Sequence, residues 1–251
     1  MTSSLISSRN APAKATELHA KASADFAAKL AETQALLRRA AAEFAPVTQA
    51  SSLGAEDVVI THLINSLQLD IPVFVLETGA LHTETLALLE RTQAHSRAPI
   101  HVFRPVQESV IQFVRDKGQD AIYKTIELRK ECCGIRKMEP LARALKGQKA
   151  WITGLRQEQS SARAEVPLQD DSEVATKSLY KFNPLAKWTW GDVWHYIATN
   201  QVDYNPLHDQ FFPSIGCAPC TRAISLGEEF RAGRWWWEDE AAKECGLHVK
   251  A

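Results

Sequence analysis

The chain has 251 residues, of which 45% are hydrophobic and 24% charged, and its formal net charge at pH 7 is −1. That balance suits a globular protein with one sizeable core, and the near-zero charge supplies no general attraction to nucleic acid. The longest apolar runs, such as Ile71 to Leu76, are far too short to span a bilayer, which argues against a membrane protein.

Residues 1–12 are rich in Ser, with Asn and Pro, and read as disordered. Residues 13–43 are Ala-rich, and Leu18, Phe26, Leu30, Leu36 and Leu37 recur near a 3.6-residue spacing, which predicts one helix. A strand is expected over 46–50, a loop over 51–54 and a helix over 55–69. The apolar run Pro72 to Leu76 is of strand length and leads through the turn Glu77-Thr78-Gly79 to a helix over 83–94. A strand over 100–104 and a helix over 106–117 follow, and Trp151-Ile152-Thr153-Gly154 reads as a fourth strand entering a polar loop. Past Asp170 the periodicity weakens, leaving one clear helix over 188–199 and then an irregular, aromatic segment. Strands alternating with helices of this length predict an α/β fold with a doubly wound, mostly parallel sheet. Such sheets bind ligands beside the carboxyl ends of their strands, where the loops 51–54, 77–82 and 154–163 are expected.

Five cysteines are distributed as an adjacent pair, Cys132 and Cys133, a Cys-x-x-Cys pair, Cys217 and Cys220, and a fifth, Cys245. Four thiols are the ligand complement of zinc or of an iron–sulfur cluster. Adjacent cysteines are poor joint ligands for one tetrahedral ion because consecutive side chains diverge, whereas a cubane offers them separate irons. The pattern therefore favours a [4Fe-4S] cluster, with zinc and buried or redox thiols as the open alternatives. Cys245, in Glu244-Cys245-Gly246-Leu247-His248 near the end of the chain, reads as a nucleophile on a mobile tail. The odd count speaks against two disulfides. So does the start of the chain, which carries no apolar run of an export signal, so that a cytoplasmic protein is expected.

The segment Ser52-Leu53-Gly54-Ala55-Glu56-Asp57 joins a strand to a helix, and its amides suit an anion or simply a capped helix start. It lacks the Lys of a Walker loop and the glycines of a dinucleotide fingerprint. In Glu77-Thr78-Gly79-Ala80-Leu81-His82, Gly79 suits a tight bend or a close ligand approach, and His82 reads as a helix cap sooner than a ligand contact. The loop 156–163 carries Arg156 and Arg163 among hydroxyls, which fits a phosphate or sulfate grip or an exposed polar loop. Basic residues flank both cysteine pairs: Lys124, Arg129, Lys130, Arg136 and Lys137 near the first, Arg222, Arg231 and Arg234 near the second. Trp235-Trp236-Trp237 cannot share one face of a helix or strand, and suits packing of the C-terminal segment or a partner surface.

In combination these motifs resemble the assimilatory adenylyl-sulfate (APS) reductases, a branch of the APS and PAPS reductase family. The resemblance runs from about Ser51 to His248 and is carried by the loops above together with Cys-Cys-Gly-Ile-Arg-Lys at 132–137, Trp-Ile-Thr-Gly-Leu-Arg at 151–156 and Lys-Phe-Asn-Pro-Leu at 181–185. Ile-Gly-Cys-Ala-Pro-Cys-Thr-Arg at 215–222, Gly-Arg-Trp-Trp-Trp-Glu at 233–238 and Glu-Cys-Gly-Leu-His at 244–248 complete it. It implies an adenine-nucleotide alpha-hydrolase-like fold, with an N-terminal stretch and helix over 1–45, the reductase domain over 46–240 and a mobile tail over 241–251. It implies a [4Fe-4S] cluster on Cys132, Cys133, Cys217 and Cys220. Cys245 would attack the sulfur of APS, expel AMP and carry the sulfonate, with His248 beside it, and a thioredoxin or glutaredoxin-like thiol would release sulfite. Lys137, Arg231, Arg234 and Arg163 would hold the phosphosulfate. Ser51, Ser52, Gly54, Thr78, Gly79, Leu81 and Gly154 would frame the nucleotide. Because the chain ends just past this motif, the reductant is expected to be a separate protein. A homo-oligomer stays open, no nucleic acid or membrane is expected, and the alternatives are a PAPS or dual-specificity reductase and a non-catalytic zinc or cluster scaffold.

Overall fold

The structure, a computed structural model, describes residues 13–225 and 227–239. Two helices open it, α1 (Ala15–His19) and α2 (Phe26–Glu43), followed by β1 (Val47–Ser51), α3 (Ala55–Ser66), β2 (Val73–Leu76), α4 (Thr83–His95), β3 (Ile100–Phe103) and α5 (Gln107–Lys117). A helix α6 (Ile126–Cys133) runs through a π-helical turn, Gly134–Met138, into α7 (Glu139–Leu145). Then come β4 (Ala150–Ile152), β5 (Gln169–Asp170), α8 (Val174–Lys177), β6 (Tyr180–Phe182) and α9 (Trp190–Asn200). Among the described residues no helix is long and apolar enough to cross a membrane.

The strands form a six-stranded sheet in the order β3-β2-β1-β4-β6-β5, parallel throughout except for the antiparallel β5–β6 pair. The expected doubly wound fold is therefore present. Alternate side chains of each strand serve opposite faces. Val73, Val75 and Ile152 enter a core with α2, α3, α4 and α9, through residues such as Leu37, Ile60, Leu88 and Trp194. Phe74 and Trp151 enter a smaller core with Leu141 and Ala144 of α7. Central β1 carries a buried amide, Gln49, which donates to the Asp57 carbonyl at 2.9 Å and accepts from the Thr61 hydroxyl at 2.9 Å, fastening α3 to the strand before it.

The first helix expected over 13–43 is divided at 20–25, and the reason is tertiary. The Ser23 amide and hydroxyl donate to Asp192 at 2.7 and 2.8 Å, and the Lys21 amide donates to the Gly191 carbonyl at 3.3 Å, so this stretch is pinned to the start of α9. Gly191 is needed there, because a Cβ would lie 2.2 Å from the Lys21 carbonyl oxygen. Asp192 also closes a capping box, accepting from the Thr189 amide at 2.9 Å while the Thr189 hydroxyl accepts from its own amide at 3.0 Å. Two short strands, β5 and β6, and the helical run 126–145 lie where the sequence reading assigned no element.

The Asp192 side chain is fully buried beside Lys29, 3.1 Å away. Burial alone pushes its carboxyl up, but the bonds from the Ser23 and Thr189 amides, the Ser23 hydroxyl and Lys29 outweigh that and hold it at about 2. A carboxylate depressed from 3.8 to about 2 contributes stability that is complete above pH 4 and lost as pH falls through 2. Asp192→Asn should cost about 2 kcal/mol at neutral pH. Urea melts of both proteins between pH 6 and pH 2 should show that gap closing toward the acid end, and a constant gap would contradict the assignment.

Candidate active site

The chain leaves β1 toward β2 and β3 on one side, and β4 returns to the other side of β1. The loops after β1 and β4 therefore part, opening a cleft at the carboxyl edge of the sheet. Ser51, Ser52 and Gly54 line it from the end of β1, Thr78 and Leu81 from the loop after β2, and Gly154 and Arg163 from the loop after β4. Lys137 of the π-helical turn and Arg231 and Arg234 of the C-terminal segment close it. Gly79 stands apart: its φ of +69° makes the expected bend, but it faces the neighbouring cavity, where a Cβ would lie 3.2 Å from an Arg136 guanidinium nitrogen.

Asp57, on the first turn of α3, organises the cleft floor. Its carboxylate accepts from the Ser52 amide at 2.7 Å and the Ser52 hydroxyl at 2.6 Å. Burial raises this carboxyl to about 6, against the pull of the bonds from Ser52 and the Gly154 amide. The loop 52–57 thus spends Ser52's donors on its own side chain, leaving less of the helix terminus for an anion than the sequence suggests. Gly154 has no room for a side chain, since a Cβ would meet the Asp57 Oδ1 at 2.4 Å.

The loop 156–163 is not an exposed polar loop. Arg156 is fully buried, its Nε donating to Glu56 at 2.8 Å and its guanidinium over the rings of Trp190 and Phe230 at 5.3 and 5.7 Å. It ties this loop to α3 and does not line the cleft. Arg163 does, oriented by a 2.6 Å bond to Gln159. His82 sits at the N-cap of α4 without a side-chain cap bond, its ring against Phe212 at a centroid distance of 5.6 Å.

All four described cysteines are free thiols, and all four border one cavity of about 270 Å³ beside the cleft. α6 and its π-helical turn bring Cys132 and Cys133, while Cys217 arrives through a bridge to Leu81 and the Ala218 amide bonded to the Ala80 carbonyl at 2.7 Å. The Thr78 hydroxyl lies 3.3 Å from Cys217 Sγ. Among the described residues no three Cys, His, Asp or Glu side chains approach closely enough to share one metal ion. These four thiols are the described side chains that could hold a metal ion or a cluster at this cavity. Burial pushes the Cys220 thiol up to about 12, with Cys217 and Cys133 adding to it, and burial raises Cys132 against the pull of Arg136. Such thiols are poor nucleophiles on their own. Lys137 lines both cavities and is the residue placed between them. Cys245 and His248 lie outside the described residues.

The remaining basic residues divide. Arg136 donates to the Thr78 carbonyl at 2.6 Å, Arg129 pairs with Glu238 at 2.6 Å, and Arg222 pairs with Glu228 at 2.6 Å. Of the three tryptophans, Trp235 is buried, Trp236 is 41% exposed, and Trp237 packs edge-on against Tyr123 at 4.5 Å. Asp57 and His208 are among the cleft residues that the sequence reading of the site did not include. Asp57 was visible as the last residue of the 52–57 motif. His208 gave no signal, yet it lines the cleft with both ring nitrogens buried and without a partner among the described residues, and burial lowers its imidazole to about 4.

Comparison with known proteins agrees with this geometry. Residues 46–223 match the family model of the phosphoadenosine phosphosulfate reductase domain. The chain is 49% identical over 213 residues to the adenosine 5'-phosphosulfate reductase of Allochromatium vinosum, covering 85% of this chain and 82% of that one. It is 48% identical over 225 residues to the adenosine 5'-phosphosulfate reductase of Burkholderia cepacia, covering 90% and 89%. Its structure is similar to that of the phosphoadenylyl-sulfate (PAPS) reductase of Candida auris in a phosphate complex, with a TM-score of 0.65, 27% identity, and coverage of 76% of this chain and 90% of the other.

Gly154→Ala tests the cleft floor. The added methyl must displace the Asp57 carboxylate or the loop, and should cost about 1–3 kcal/mol of stability. Urea unfolding that matched the parent protein would show that the contact is readily relieved.

Proposed function

This chain belongs to the phosphoadenosine phosphosulfate reductase domain family, and on that footing we propose that it reduces adenosine 5'-phosphosulfate to sulfite and AMP in sulfate assimilation. The observation that carries the reading is the junction of two cavities: a cleft at the sheet's switch point, bordered by Arg163, Arg231 and Arg234, adjoins the four-thiol cavity, with Lys137 on both. A phosphosulfate mixed anhydride carries negative charge on both ends of the bond that breaks. Cations at the cleft rim would hold it and stabilise the charge that develops on the departing AMP phosphate.

Cys132, Cys133, Cys217 and Cys220 would hold a [4Fe-4S] cluster, supported by the four thiols around one cavity. Bound there, it would supply electrostatic tuning of the adjacent site and tie α6 to the 215–222 segment. The reacting thiol in this proposal is Cys245. Its thiolate attacks the sulfur of the substrate, the bond from sulfur to the phosphate oxygen breaks, and AMP leaves with the electron pair. The product is a Cys245 S-sulfonate. A thiolate of a thioredoxin-like dithiol then attacks the Cys245 sulfur, sulfite departs, and the second thiol of the same partner resolves the mixed disulfide, so that two electrons reach the sulfur. This chemistry fits the cytoplasm, where thiols are kept reduced. A PAPS or dual-specificity activity is the second reading, favoured by the likeness to the PAPS reductase of Candida auris.

Purified anaerobically, the protein should be brown and carry about four irons and four sulfides per chain, and Cys133→Ser should lose both iron and activity. One zinc without acid-labile sulfide would refute the cluster. Mixed with APS in the absence of reductant, the protein should release one AMP per site and gain the mass of a sulfonate on the Cys245 peptide. Cys245→Ser should keep its iron and form no adduct, and an adduct on another cysteine would overturn the mechanism. Selectivity for APS over PAPS should be on the order of a thousandfold in kcat/KM, and equal values would favour the dual-specificity reading.

A further inference from the structure

Trp235 lies between two guanidinium groups. Arg129 of α6 sits over its ring at 4.7 Å, and Arg234 of the cleft sits over it at the same 4.7 Å. The indole is 1% exposed, Arg129 is 0% exposed and Arg234 7%. Two like charges on one buried ring are tolerated because Arg129 is neutralised by a two-pronged bond to Glu238, Nε to Oε1 at 2.9 Å and Nη2 to Oε2 at 2.6 Å. Glu238 is tied back in turn, its amide donating to the Trp235 carbonyl at 2.8 Å. The Trp235 amide donates to the Cys220 carbonyl at 3.1 Å, and Thr221 bridges to Arg234.

On the cleft side, Arg234 packs its guanidinium on Gly216, where a Cβ would lie 2.4 Å from Nη2. One nitrogen reaches the Ser214 hydroxyl at 3.2 Å and the Ile215 carbonyl at 3.3 Å. None of these described neighbours is acidic, and the direction of the Arg234 guanidinium is set by Trp235, Gly216 and the backbone.

We propose that Trp235, with the buried Arg129–Glu238 pair behind it, is a positioning unit that aims Arg234 at the anionic end of the substrate and makes that aim depend on the cysteine-bearing helix α6. This rests on the reading of the cleft as the phosphosulfate site. Neither Trp235 nor Glu238 lines the cleft, whereas Arg234 does; Arg129 lines the four-thiol cavity. A cation held on an aromatic face in a dry setting keeps one direction, and fixing it in advance removes the ordering cost from ligand binding.

The test compares AMP with adenosine, which lacks the anionic end, by anaerobic calorimetry on iron-loaded protein. Trp235→Leu and Glu238→Gln should each weaken AMP about tenfold while adenosine affinity and iron content stay at parent values. In an Arg234→Ala background, Trp235→Leu should cause no further loss for AMP, because the residue it positions is gone. Equal weakening of AMP and adenosine, or additive losses in the double variant, would overturn the proposal. Should Trp235→Leu fold poorly, Trp235→Phe and Trp235→Met, which fill the same site with and without an aromatic face, decide the matter: only Phe should keep most of the affinity for AMP, and equal affinity in the two would overturn the proposal. Parent protein that binds neither ligand would instead count against the proposed function itself.

Discussion

The placement of β1 between β2 and β4 decides where the polar cleft of this protein opens. Three parallel strands end at one edge, and the chain departs from the central strand in opposite senses, so the loops after β1 and β4 cannot close over each other. Asp57 spans the gap from below, bonded to Ser52 on one side and in contact with Gly154 on the other. The cleft exists because backbone topology opens it and one carboxylate holds its two lips at a set distance.

Around that edge two buried ion pairs anchor the loops. Arg156–Glu56 anchors the loop after β4 to α3, and Arg129–Glu238 anchors the C-terminal segment to α6. Such pairs add little stability relative to well-packed apolar residues, but removing one partner strands a buried charge at a cost of about 3–5 kcal/mol. Their consequence here is geometric. Each fixes a segment that would otherwise be a surface loop, and each fixed segment delivers an arginine to the cleft: Arg163 in one case, Arg234 in the other.

The strands of the sheet's first half and the helices α3, α4 and α5 were legible, β2 most clearly as an unbroken apolar run of strand length. Helix α6 was not, because its buried face is built from Arg129 and the cysteine side, which no apolar pattern marks. Helix α2 read correctly but was extended backward through 20–25, where Ser23 is captured by Asp192 on α9. That bond joins residues 169 positions apart, beyond any local window. Arg156 and Arg163 read alike in sequence and diverged in space, one serving Glu56 and the other the cleft.

By itself the sequence determined the class of fold, the presence of four paired thiols and a fifth apart, and the loops that surround a ligand, since these follow from periodicity, residue chemistry and short spacings. The tertiary structure decided which cations line the cleft and which lie away from it. It also brought the two cysteine pairs around one cavity, buried Trp235 while leaving Trp236 at the surface, and placed His208 in the cleft wall. The physical reason is that burial and pairing are properties of what a side chain meets across the chain. A charge buried beside a partner and the same charge turned toward a ligand look identical until the segments that enclose them have packed.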